Sequence, residues 1–93
     1  MEIKHIEGNP KGYFAAYYGS EIAGKLTYTN TGNNLMIIDH TEVDNAFKGK
    51  NVGKQLIMGT VKFAREKNIK IIPLCPFAKS VFDKVDEIKD VLS

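Results

Sequence analysis

Hydrophobic and polar positions alternate through the first half of the chain and change period near its middle. Residues 2–6, "EIKHI", alternate and predict a short edge strand. "GNPKG" then breaks the chain with Gly8, Pro10 and Gly12. "YFAAYY" is aromatic and strand-compatible, and Gly19-Ser20 after it has the composition of a two-residue hairpin turn. "EIAGKLTYT" sets Ile22, Leu26 and Tyr28 against Lys25, Thr27 and Thr29, and Gly24 within it marks a bulge or a close backbone approach. After the turn cluster "NTGNN", "LMIIDHTEV" predicts a fourth strand, apolar at its start and polar at its end.

From Val52 the period becomes helical. Val52, Leu56, Ile57, Val61, Phe63 and Ala64 recur at three-and-four spacing. Arg65, Lys67 and Asn68 suit the end of that helix, with Asn68 as a left-handed cap. "IKIIPLC" is a short apolar fifth strand. Pro73 has no N–H to give a ladder, so this strand lies at an edge or parts from its neighbour there. "FAKSVFDKV" puts Phe77, Val81, Phe82 and Val85 on one side of a second helix, and "DEIKDVLS" continues it or forms a final turn. The predicted fold is α+β: a mixed, mostly antiparallel five-stranded sheet with helices on its faces. Strand four, the long helix and strand five make a central βαβ unit, expected to cross over right-handed.

Composition narrows the function classes. The 93 residues fit one domain, 1–93. Hydrophobic residues at 43 % with 26 % charged argue for a packed core and against disorder. A net charge of +2 counts against a dedicated nucleic-acid binder. The single cysteine, Cys75, excludes an intramolecular disulfide. The start, "MEIKHIEGNPKG", has no apolar signal-peptide core, and no apolar run is long enough to span a bilayer. No membrane partner and no metal are expected, and the expected location is cytoplasmic.

Candidate chemistry gathers at "DNAFKGKNVGKQLI", residues 44–57, between strand four and the long helix. Ligands of open α/β sheets bind beyond the carboxyl ends of strands. A helix N-terminus there offers free N–H groups and partial positive charge to a phosphate. Gly49 and Gly53 would let the backbone approach, and Lys48, Lys50 and Lys54 add charge. The same composition also serves a solvated turn. An ATP or GTP loop is excluded: it needs G-x-x-x-x-G-K-[ST], whereas these glycines are one residue too close and Gln55 stands in the Ser/Thr place.

"KGKNVGKQLI" resembles the acyl-CoA pyrophosphate loop, [QR]-x-x-G-x-[GA], of the GNAT superfamily of N-acetyltransferases. Lys48 takes the Gln/Arg place, Asn51 the first Gly and Gly53 the last. With "DHTEV" ending strand four and "IIPLCPFA" ending strand five, the chain resembles the minimal, yjdJ-like branch of that superfamily over Asp39 to Ala78. The resemblance implies transfer of an acetyl group from acetyl-CoA, as co-substrate, to an amine. It implies that acetyl-CoA lies where strands four and five splay, beside Thr41, Glu42 and Val43. Its pyrophosphate would rest on Lys48, Gly49, Lys50, Asn51, Val52, Gly53 and Lys54. Phe77 is a further cofactor contact, although packing also accounts for it and for Phe82.

The resemblance also implies a catalytic pair, His40 and Cys75. His40 would act as general base, and Cys75 would protonate the leaving thiolate or carry the acetyl group itself. Read from the residues alone, Cys75 serves equally as a small buried hydrophobe, and His40 as a structural or solvated strand residue. The tyrosine acid common in the superfamily has no counterpart near Phe77, which shifts attention to Cys75. Glu42 and Asp44 are alternative bases or solvated carboxylates. Only Gly8 to Lys11 separate strands one and two, where the superfamily carries two helices that wall the acceptor site. An open acceptor face follows, suited to a protein or other macromolecular amine or to completion by a second subunit. Tyr13, Tyr17, Tyr18 and Tyr28 belong to that face or to the core. A monomer or weak dimer is expected, and the alternative function is a catalytically weak or inactive acetyl-CoA/CoA-binding module.

Overall fold

The computed structural model describes residues 1–93. The alternating segments form strands β1 (Glu2–Ile6), β2 (Lys11–Tyr18), β3 (Glu21–Asn30) and β4 (Leu35–Val43). The helical stripe forms α1 (Val52–Lys67), followed by β5 (Lys70–Pro73) and α2 (Pro76–Lys84). "DEIKDVLS" proves to be separate from α2: Val85 leaves helical geometry, and residues Asp86–Val91 form a 3-10 turn. The sheet order is β1-β2-β3-β4-β5, with three antiparallel pairs and a parallel β4/β5 pair, so it is mixed as expected. No helix is long and apolar enough to cross a membrane.

Local sequence explains the joints. Tyr18 pairs with Glu21 across Gly19-Ser20, the predicted two-residue turn. The β2/β3 register slips beside Gly24, with Ala16 opposite Gly24 and Tyr17 opposite Ile22, so Ala23 is a bulged extra residue. Gly24 is also a close approach: a Cβ there would lie 2.8 Å from the Glu42 carbonyl oxygen and 2.8 Å from Val52 Cγ1. Asn68 ends α1 in the left-handed region (φ 57°), its N–H donating to the Ala64 and Arg65 carbonyls.

One core holds the layers together. Phe14, Leu26, Tyr28, Met36, Ile38 and Ile71 from the sheet pack with Leu56, Ile57 and Val61 of α1. Phe82 of α2 and Ile88 of the last turn belong to the same core. Its outer boundary is tied by Arg65, whose guanidinium donates to both Asp90 carboxylate oxygens (3.0 and 2.7 Å) and to the Glu87 carbonyl (2.6 Å). His5 is a core-side residue, stacked on Phe14 at 4.1 Å and hydrogen-bonded through Nε2 to the Tyr28 hydroxyl at 2.6 Å. Burial pushes its pKa down, partly opposed by Glu7.

The feature that positions a site is the parting of β4 from β5. They pair from Leu35/Lys70 to Ile38/Pro73 and no further. Pro73 has no N–H to extend the ladder, and the chain then turns, with Leu74 N–H donating to the Ile72 carbonyl (3.2 Å). Cys75 N–H makes the last link across, to the Ile38 carbonyl (3.3 Å). β4 continues to Val43 with only β3 beside it.

Candidate active site

A second bulge shapes the free half of β4. Thr27 pairs with His40 and Tyr28 with Ile38, which leaves Asp39 as the extra residue. Its carboxylate accepts from the Thr29 hydroxyl (2.7 Å) and from Lys11 (3.2 Å). Beyond the bulge, Thr41 and Val43 lie on the core face, since Thr41 opposes buried Leu26. His40 and Glu42 lie on the outer face, opposite Thr27 and Lys25. Asp44 N–H donates to the Ala23 carbonyl at 2.8 Å. Alternate residues of an antiparallel ladder turn their backbone groups to the partner. His40 and Glu42 therefore commit theirs to β3, and Thr41 and Val43 turn theirs toward the open gap.

The gap runs into a cleft of about 430 Å³. Val43, Phe47, Lys48, Gly49 and Asn51 to Lys54 form one wall, and Phe77, Ser80, Val81, Lys84 and Val85 the other. The first wall is held by Asp44, which caps a short 3-10 turn by accepting from Ala46 N–H (2.9 Å), and by Phe47 stacked on Tyr18 at 5.1 Å. Asn51 enters α1 in the left-handed region (φ 60°, ψ 26°) and gives the helix no side-chain cap. No acidic residue lies in the first turn. The early N–H groups of α1 thus face the cleft without an internal partner, ringed by exposed Lys48, Lys50 and Lys54.

The two glycines of this loop serve different ends. Gly49 sits at φ 84° in open space, so it is needed for backbone conformation. Gly53 is helical, and a Cβ there would lie 2.5 Å from Phe77 Cζ. Gly53 makes room for the half-exposed Phe77 ring over the start of α1. Phe47, Ser80 and Lys84 were absent from the sequence-derived site. Ser80 and Lys84 fall three and seven residues after Phe77, and that helical spacing was the signal available.

Cys75 stands at the N-cap of α2, 7 % exposed, with Pro76 at the first helical position. Burial pushes the thiol up. The Ala78 N–H, the Thr41 hydroxyl and the Phe77 and Thr41 N–H groups more than offset this, and the net shift is downward. Thr41 Oγ1 is itself buried and makes no hydrogen bond of good geometry. A buried polar group left without a partner costs on the order of 1–3 kcal/mol.

His40 is exposed and lines a separate recess of about 390 Å³ with Lys11, Gly12, Tyr13, Thr27 and Asp39. His40 and Cys75 therefore lie on opposite faces of the sheet, neither lines the 430 Å³ cleft, and no hydrogen bond joins the expected pair. The tyrosines divide likewise. Tyr13 and Tyr17 are half-buried on the outer face under Lys25 (4.0 Å) and Lys4 (5.0 Å), while Tyr28 is core and Tyr18 backs the cleft loop.

Known proteins share this fold. A sequence model of GCN5-related N-acetyl-transferases matches residues 13–91. A GCN5-like protein from Staphylococcus aureus, solved by NMR, is 39 % identical over 99 % of this chain and 87 % of its own, with a TM-score of 0.72. A Bacillus anthracis protein described as a streptothricin acetyltransferase, solved with acetyl coenzyme A, is 26 % identical with a TM-score of 0.61. The match covers 73 % of this chain and 40 % of that one. The ribosomal-protein-alanine N-acetyltransferase of Brucella melitensis shares the fold at 18 % identity and a TM-score of 0.73, over 84 % of this chain and 62 % of its own. No curated protein sequence matches the chain.

Proposed function

The chain belongs to the GCN5-related N-acetyltransferase family, and from that premise we propose that it transfers an acetyl group from acetyl-CoA to an amine. The observation that carries this reading is the parting of β4 from β5 beside an uncapped, lysine-ringed helix N-terminus. The pyrophosphate of CoA occupies the α1 N-terminus, within reach of Lys48, Gly49, Lys50, Asn51, Val52, Gly53 and Lys54. The pantetheine arm runs along the free edge of β4, taking the backbone groups of Thr41 and Val43 as an added strand would. Phe77 lines the opposite wall. The acetyl-CoA bound to the Bacillus anthracis protein supports the choice of ligand.

The thioester then lies in the gap between the two faces. The amine arrives on the outer face, loses its proton to His40, and attacks the thioester carbonyl carbon. Donors at the gap stabilise the oxyanion, which collapses to the amide and expels CoA thiolate. Cys75 either protonates that thiolate or takes the acetyl group first and passes it on. The direct β1-to-β2 connection leaves the outer face open, which favours a macromolecular amine such as a protein lysine or terminus. An unpaired cysteine suits a reducing compartment, so the proposed setting is cytoplasmic. A second reading, a CoA-binding module with weak turnover, draws on Lys48, which has no bidentate fork for the pyrophosphate.

Thermal unfolding with acetyl-CoA tests the binding step. A ligand at a hundredfold excess over its Kd stabilises the native state by roughly 2.7 kcal/mol. An unchanged Tm at saturating acetyl-CoA would remove both readings. Intact mass of wild type and Cys75→Ala after incubation with acetyl-CoA separates the two cysteine roles, since only the carrier role leaves an acetyl group on wild type alone. Full transfer by His40→Ala to a working acceptor would dismiss His40 as the base.

A further inference from the structure

The recess on the outer face of the sheet already holds an ammonium group of the chain itself. Lys11 Nζ stands 3.2 Å from Asp39 Oδ2, reaching across β3 from β2. The two partners differ in how firmly they are held. Asp39 is the bulged residue of β4, its side chain is 19 % exposed, and the Thr29 hydroxyl donates to Oδ2 at 2.7 Å. Lys11 has a side chain 67 % exposed on a flexible stem, and an exposed pair of this kind is weak. Both contacts fall on Oδ2, which leaves Oδ1 able to accept from a further donor. His40 lines the same recess, because the bulge sets Asp39 and His40 on one face where a regular strand would alternate them. Tyr13, also in the recess, carries a second ammonium group, Lys25 Nζ, over its ring at 4.0 Å.

We propose that Asp39 is the docking point for an alkylammonium group of the acceptor, with Lys11 as its stand-in, and that it selects amines carrying a second ammonium a short alkyl chain from the one acetylated. The proposal rests on the reading of the outer face as the side from which the amine arrives. The two nitrogens have opposite requirements. The attacking amine must be neutral, and a carboxylate directly on it favours its charged form and opposes the reaction. A second ammonium has no such conflict. It takes the place of Lys11 on Asp39 and keeps its protons, while Lys11 swings into water. The neighbouring amine then stands at His40 and gives up its proton there. It forms its bond to the acetyl carbon as the carbon–sulfur bond of the thioester breaks, and the sulfur leaves as thiolate. Free diamines and protein segments with adjacent lysines share this chemistry. Asp39 is thus the specificity-determining residue, and Lys11 a built-in competitor for it.

Binding is read first, without acetyl-CoA, from the amide NMR signals of Thr29, Asp39 and His40. The titrant is cadaverine, set against sodium chloride at equal ionic strength because exposed charges are screened. Those signals are expected to move with the diamine and to stay put with the salt. Asp39→Asn, which keeps the shape and an acceptor for Thr29, weakens cadaverine by about tenfold. Lys11→Met removes the competitor and tightens it by about threefold. Transfer is read next, by product mass, for cadaverine against pentylamine and for a peptide with adjacent lysines against its single-lysine counterpart. A lower KM is expected for the two-amine member, and Asp39→Asn closes that gap through KM. The pair that shows it names the source, a free diamine or a protein segment. Signals that move equally in salt overturn the proposal, as does an Asp39→Asn that binds as wild type or a Lys11→Met that binds no tighter. Single and paired amines acetylated with equal KM in both pairs overturn it too. Cadaverine bound at Asp39 with no amine ever acetylated would leave the ammonium site standing and remove the transfer reading alone.

Discussion

The two helices begin in opposite ways. Neither N-cap residue gives a side-chain hydrogen bond, so both present unsatisfied N–H groups. At α1 those groups open onto a cleft among exposed lysines, and the entering residue, Asn51, is left-handed. At α2 the entering residue, Cys75, is extended and buried, and Pro76 preforms the first turn. One physical device, the positive end of a helix, is thus placed twice. The first end is open to an anion brought from outside, and the second is covered by the buried Cys75 side chain. What sorts them is their place relative to the β4/β5 gap: α1 starts beyond its open end, and α2 starts at its closed end.

The largest way to break this contrast is to fill the space where the two helix starts meet. Gly53→Val would push a branched side chain into the Phe77 ring, since even a Cβ lies 2.5 Å from Cζ. Overpacking of this kind costs about 1–3 kcal/mol, and each kcal/mol lowers the Tm of a domain this size by roughly 4–8 °C. The expected result is a clear fall in Tm together with loss of CoA binding. Phe77→Ala in the same chain should recover most of the Tm. A Gly53→Val protein with wild-type Tm would mean that Phe77 does not rest on α1.

Charge reversal at the open end comes next. Lys48→Glu with Lys54→Glu should weaken CoA binding by about tenfold per reversal, or ~1.4 kcal/mol each. It should also flatten the salt dependence, because the lost interactions are solvent-exposed and screened. Calorimetric titration at two ionic strengths reads both effects. Lys84→Ala, on the far wall, is expected to weaken CoA by only a few-fold, as a single exposed charge does.

The strand pattern and both helix stripes were legible because each follows one local period. β1 and β4 begin and end at the predicted residues, and Asn68 caps α1 as read. Pro73 announced the parting of β4 and β5, because a missing N–H is visible in a sequence. Other features were hidden because they depend on register between distant segments. The bulge at Asp39 decides which face His40 occupies, and nothing in "DHTEV" marks the extra residue. The donors around Cys75 come from β4 and α2, so Thr41 read only as a strand residue near a ligand. Gly53 was assigned to backbone approach, whereas its reason is a ring from a helix twenty-four residues away in sequence, Phe77.

The smallest expected effect sharpens the comparison most, because it has two signs. Asn51→Asp keeps a residue type that tolerates the left-handed conformation and places a carboxylate at the N-terminus of α1. In the free protein the negative charge complements the helix end, worth about 0.3–1 kcal/mol at an exposed site. The Tm should therefore rise by about 1–8 °C. In the complex the same carboxylate competes with the pyrophosphate for the same N–H groups and repels it, so the Kd for CoA should rise several-fold. High salt should shrink both changes together, since one charge causes both. A stabilised Asn51→Asp that binds CoA as wild type does would place the pyrophosphate elsewhere in the cleft. The uncapped start of α1 would then be a feature of the fold and no longer of the site.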